Sequence, residues 1–220
     1  AKGGAAAFTH LMAGYHRPMR PHTKGKPEGR REYDAWAQIF YDQGFKLVFE
    51  SDTHLIKRTQ PLRPSIEADA EEGFVVDTDK GTVYIGEGCW GAPLRGANDG
   101  KSWTRDMDSF NGFDLVQVFA EQIDVLTVKV DNEEAVAALA AGDTLSLPQG
   151  LDLWQAKGGT RMVINRSGEE QLSYAQYQLD LAGAQPPTVG SSAAGDLDGD
   201  GLSNYVEFAL GLDPTEPTAA

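Results

Sequence analysis

Cysteine is nearly missing from this chain: Cys89 is the single one among 220 residues. One thiol excludes an internal disulfide and a cysteine-built zinc site, and Cys89 has no evident base partner that would make it a nucleophile. Long apolar runs are missing as well. None approaches the ~20 residues that a membrane-spanning helix requires. Positive charge is scarce, with 19 Lys and Arg against 33 Asp and Glu and a formal net charge of −14. That balance argues against general nucleic-acid binding. The first residues, Ala1-Lys2-Gly3-Gly4, carry neither a starting methionine nor a secretion signal. They read as a cut within a longer protein.

The 220 residues suit one compact domain, or one domain with a small appendage. A chain of this size buries roughly 70% of its unfolded surface and needs no disulfide staples. Its 25 glycines point to many turns and a strand-rich fold. The charge is unevenly placed. Residues 1–64 hold 11 Lys and Arg against 6 Asp and Glu, and the remainder holds 8 against 27. All four histidines, His10, His16, His22 and His54, lie in that first, basic stretch. A basic, histidine-bearing segment in an acidic protein suggests a local anion or metal site, the alternative being a chance surface patch.

Leu11 to Tyr15 reads as a short strand that ends at His16-Arg17-Pro18, where proline forces extended geometry on its predecessor. A polar loop over 19–30 follows. Tyr33, Trp36, Ala37 and Phe40 recur at helical spacing, predicting a helix from Arg31 to Gln43 that Gly44 stops. Phe45 to Glu50 is a strand. The two strands of this unit end near His16 and His54, and ligands collect at the carboxyl ends of strands in open α/β sheets. Further strands are expected at 74–76, 82–86, 114–119 and 123–130, and weaker ones at 144–147, 151–154 and 161–165. An Ala-rich helix is expected at 133–141. Residues 185–195, rich in Pro, Gly and Ser, read as a linker.

Two constellations carry chemistry. The first joins Tyr15-His16-Arg17-Pro18 to Ser51-Asp52-Thr53-His54 with its tail Arg58-Thr59, and then to Gly81-Thr82-Val83-Tyr84-Ile85-Gly86-Glu87-Gly88. In order and spacing these resemble late motifs of the calcineurin-like metallophosphoesterases, in particular the purple-acid-phosphatase branch. The resemblance covers roughly residues 8–130. It implies an α/β fold, the C-terminal half of the αββα metallophosphoesterase sandwich over 1–130; the weaker strands beyond it read as a β-rich extension over 131–184. It implies a small phosphoester substrate and two divalent metals (Fe, Zn or Mn). His16, Asp52 and His54 would be metal ligands and catalytic residues, with His54 on one ion and His16 on the other. Asp52 stands where the family has a histidine, and it equally suits a turn-capping role. Arg17, Arg20 and His22 would hold substrate phosphate, since a guanidinium fork matches phosphate oxygens; the alternative for these three is a solvated loop. The family's Asp-x-His, Gly-Asp and Gly-Asn-His motifs do not stand before His16. The chain by itself is therefore expected to lack a complete dinuclear site.

The second constellation is Asp196 to Glu207. Asp196, Asp198, Asp200, Asn204 and Glu207 place side-chain oxygens at positions 1, 3, 5, 9 and 12 of a calcium loop. Gly201 sits at the sharp turn, and the Leu202 carbonyl at position 7. Residues 196–220 resemble the single EF-hand-like loops of dockerins and thrombospondin-type-3-like tails. Such modules work at millimolar calcium, so a secreted or cell-surface location is expected, with the tail contacting cell-surface or other protein partners. The competing function class is a non-catalytic extracellular adhesion or assembly module.

Overall fold

The computed structural model describes residues 10–26, 34–140, 146–165 and Gly199. The linker and, apart from Gly199, the calcium loop lie outside the described residues.

Alternating side chains build the first sheet. It has five strands in the order β1-β2-β6-β3-β7, from β1 (Leu11–Gly14), β2 (Phe45–Glu50), β3 (Ile56–Thr59), β6 (Val83–Gly86) and β7 (Thr104–Asp108). β1, β2 and β6 are mutually parallel, while β3 runs antiparallel to both β6 and β7. Along β2, Val48 packs on one side with Tyr84, Met19, Phe74, Trp103 and Ala37. Its neighbour Leu47 packs on the other with Val83, Ile85, Ile123, Val125, Met162 and Ile164. Successive residues of a strand face opposite ways, so one strand serves two cores. The first core is closed by α1 (Asp34–Asp42), whose Ala37 is buried in it and whose Phe40 packs beside it. Gly44, at φ 73, follows the last turn. A short hairpin of β4 (Leu62–Pro64) and β5 (Phe74–Val76) flanks this core.

The second core is closed by an antiparallel sheet. β9 (Gln122–Val130) pairs along one edge with β8 (Gly112–Val118) and along the other with β10 (Leu151–Leu153) and β11 (Arg161–Asn165). This sheet joins strands from both sides of the boundary expected at residues 130 and 131, so β10 and β11 complete the layer that β8 and β9 begin. Among the described residues the layers are helix, mixed sheet and antiparallel sheet, which is a partial α/β arrangement, mostly strand. A second helical layer is not among them.

The helix expected at 133–141 is absent over its described part. Only a single 3-10 turn, Glu133–Ala135, forms there, with Asn132 accepting from the Glu134 N–H. Val136 is already extended, at ψ 114. The N–H groups of Asp131 and Asn132 both donate to Gly150 O, tying this segment to the start of β10. A run this short has too little apolar face to nucleate a helix of its own.

Candidate functional site

The carboxyl ends of the parallel strands β1, β2 and β6 meet at one edge of the first sheet. His16 lies two residues beyond β1, and its carbonyl accepts from the Ser51 N–H at 2.9 Å, which ties the two turns together. Asp52 and His54 follow β2. Both adopt positive φ, 70° and 65°, a conformation that costs a non-glycine residue about 1 kcal/mol or more. The turn after β6 holds them there. Glu87 O accepts from the N–H groups of Thr53 at 3.0 Å and His54 at 2.6 Å. Gly86 and Gly88 allow that approach. A Cβ on Gly86 would lie 2.5 Å from Glu50 O, and one on Gly88 would lie 2.9 Å from the Asp52 nitrogen.

Asp52 is the electrostatic centre. Its Oδ1 faces His16 Nε2 at 3.6 Å, and its Oδ2 lies 3.0 Å from Lys26 Nζ and 3.8 Å from Arg17 Nε. Partial burial pushes the carboxyl's pKa up, but the hydrogen-bonded Lys26 ammonium, with His16 and Arg17 behind it, holds it below the usual range. His54 is half-buried, and its Nδ1 lies 2.9 Å from Pro93 O. A carbonyl only accepts, so Nδ1 carries a hydrogen, which leaves Nε2 as the nitrogen placed to ligate a metal. Arg95 completes the rim. Its guanidinium donates to the carbonyls of Asp52 and Thr53 at 3.1 and 3.4 Å, and its backbone N–H donates to His54 O.

The fit of a metal ion to these groups is partial. Two ligands of one tetrahedral ion with bonds of ~2.1 Å sit roughly 3.4 Å apart, and the 3.6 Å between His16 Nε2 and Asp52 Oδ1 is close to that. Yet no group of three His, Cys, Asp or Glu side chains that could hold a metal occurs among the described residues. His16 and Asp52 are brought together; a closed coordination shell with His54 is not.

Arg20 and His22 face inward instead of lining the surface. Arg20 donates to the carbonyls of Glu72 and Met19, pairs with Asp34, and lies over the Phe74 ring. His22 is fully buried, with Nδ1 on Glu87 Oε1 at 3.1 Å and Nε2 at 2.8 Å from the Thr104 hydroxyl. Lys57, also fully buried, bridges Glu50 and Glu87. Tyr15 and the Met19 N–H donate to Glu50 as well. Arg20 and His22 thus stiffen the loop that carries Lys24 and Lys26. Those two lysines escaped the sequence reading; their signal was the excess of basic residues over 1–64. The calcium-loop residues Asp196, Asp198, Asp200, Leu202, Asn204 and Glu207 lie outside the described residues.

No protein-family profile matches this chain, and no curated protein does. Among solved structures it is similar to a purple acid phosphatase isolated from seeds of yellow lupin (Lupinus luteus), at 18% identity and a TM-score of 0.42. The match covers 55% of this chain and 22% of that protein, so the chain spans about a fifth of its length.

Proposed function

We propose that the chain is part of a metal-dependent phosphoester hydrolase of the calcineurin-like type. What supports this reading is the meeting of His16 and Asp52 at the carboxyl ends of adjacent parallel strands, a histidine nitrogen and a carboxylate oxygen 3.6 Å apart, with His54 two residues further along the same turn. His16, Asp52 and His54 would contribute ligands for divalent ions, which in such sites activate water and polarise a phosphoryl oxygen. The residues of this chain do the rest. Pro93 fixes the His54 tautomer through its carbonyl. Lys26 holds Asp52 ionised, and Arg17 with Lys26 draws an anionic ester toward the edge of the sheet. Further ligands must come from outside this set, so the chain alone turns over phosphoesters weakly or not at all. Calcium binding at Asp196–Glu207 and a secreted or cell-surface location belong to the same proposal.

The test is zinc or manganese binding by calorimetry, with His16→Ala and His54→Ala. Each substitution is expected to weaken binding at least ~10-fold, since disturbing even the groups that orient a metal's ligands costs about 10–100-fold. Unchanged binding in both variants refutes the metal reading and favours the non-catalytic module. Calcium titration to ~10 mM tests the tail; no binding up to that ceiling, above the affinity range of such modules, removes it.

A further inference from the structure

Beside Asp52 lies a cleft of 320 Å³ lined by Thr23, Lys24, Gly25, Lys26 and Arg95. Three of its five residues are cationic and none is acidic, in a chain whose formal charge is −14. In an acidic protein a wall of one positive sign is a local reversal of the field, and such a wall concentrates anions. The three cations are placed differently. Lys26 is committed to Asp52 through its carboxylate and its carbonyl. Arg95 is pinned through one nitrogen to two carbonyls and pairs with no carboxylate among the described residues. Lys24 has its backbone N–H on Asn98 Oδ1 at 2.8 Å, while its exposed ammonium has no partner among the described residues.

The floor is firm where the wall is charged. Asn98 and Asp99 N–H groups both donate to His22 O, and His22 is locked from below by Glu87 and Thr104. The Thr23–Lys26 turn is thereby anchored at its start and at Lys24. Gly25 at φ 79 turns the chain with open space around its Cβ position.

We infer that this cleft binds a phosphate or polyphosphate group, held by Lys24 and Arg95 with Lys26 at its back. The site does not need the side chains of His16 and His54. If the hydrolase reading holds, it receives a second anionic group of the substrate, favouring esters with two phosphates over simple monoesters.

The experiment is calorimetric titration of inorganic pyrophosphate into the full 220-residue chain, stripped of metal on a chelating resin, at low and at physiological salt. Saturable one-to-one binding that weakens with salt is expected. Lys24→Gln, which disturbs no described contact, and Arg95→Gln should each weaken it about tenfold, the scale of one charge-assisted hydrogen bond. His16→Ala and His54→Ala should leave it within about twofold. Absence of saturable binding, or binding indifferent to both cleft substitutions, overturns the inference. Loss in the histidine variants equal to that in Lys24→Gln overturns it too, by moving the anion to the metal ligands. Because the metal is gone, a failed hydrolase assay leaves this result standing, and the reverse also holds.

Discussion

Replacing Lys57 by methionine removes one cation from a buried set of charges and leaves its volume nearly unchanged. Lys57 Nζ sits 2.8 Å from Glu87 Oε1 and bonds Glu50 Oε2, and all three side chains are at most 2% exposed. Breaking a buried pair from one side typically costs about 3–5 kcal/mol, a large share of the roughly 5–15 kcal/mol that holds a domain together. The pH dependence separates charge from packing. In the wild-type chain burial pushes Glu87 up, but Lys57 and then His22 outweigh it and hold its pKa below the usual value. A depressed carboxylate contributes stability that is present above its unfolded pKa near 4.5 and is lost as pH falls through the folded value. His22 is also depressed, by burial and then by Lys57. Its contribution is present above about 6.5 and is lost below. Without Lys57 the balance at Glu87 reverses, and His22 loses the second of the two causes that depress it. Burial then dominates at Glu87, whose pKa rises, and His22, though still depressed by burial, takes a proton more readily than in the wild-type chain. The variant should therefore gain stability relative to wild type as pH falls from 8 to 4. Urea unfolding across that range measures the gap. A gap of about 3–5 kcal/mol at pH 8 that narrows clearly by pH 4 is expected; a gap constant with pH would refute the reasoning and leave packing as the cause.

Other consequences are as direct. Arg58→Met should cost about 3 kcal/mol in urea unfolding, because the guanidinium joins the sheets by donating to Gly159 O, Thr160 O and the Thr127 hydroxyl and by lying over Trp154; a loss below about 1 kcal/mol would count against that role. Gly88→Ala should destabilise by about 1–3 kcal/mol and weaken metal binding at the same time, since its φ of 79° and the 2.9 Å approach to the Asp52 nitrogen both resist a Cβ; an unaffected metal titration would separate the β6 turn from the site. Cys89, buried and pushed up to about 11 by desolvation and then by Asp114, should resist a thiol reagent at pH 8 in the folded chain and react once per chain in denaturant. Fast labelling of the native protein would contradict its placement.

What could be read from the sequence follows from how each element is buried. β2, β6 and β11 centre on short apolar runs, and β9 carries Leu126, Val128 and Val130 on one face; both patterns announce strands. The helix over 31–43 was visible from its spacing, and its described part, Asp34–Asp42, agrees. β3 was invisible as a strand for a physical reason. Ile56-Lys57-Arg58-Thr59 reads as polar, yet all four residues are buried. Strand alternation sends Lys57 toward Glu50 and Glu87 in one core and Arg58 toward Thr127 and Thr160 in the other. Charges are buried only when paired, and their partners lie 7 to 102 residues away, beyond any local pattern. The same long-range pairing decided His22. As a loop histidine beside Arg20 it suggested phosphate contact; what turns it inward is Glu87, 65 residues later. The strand ends pointed to His16 and His54; parallel pairing of β1 and β2 brings those ends side by side, and the side chain that faces His16 there is Asp52. The division is therefore between groups placed by backbone pairing, which a sequence exposes through its apolar pattern, and groups placed by charge pairing across the fold. The cleft at Lys24 and Arg95 belongs to the second kind: 71 positions separate these two cations, and the bonds of Asn98 and Asp99 to the His22 carbonyl and of the Lys24 N–H to Asn98 bring their loops together.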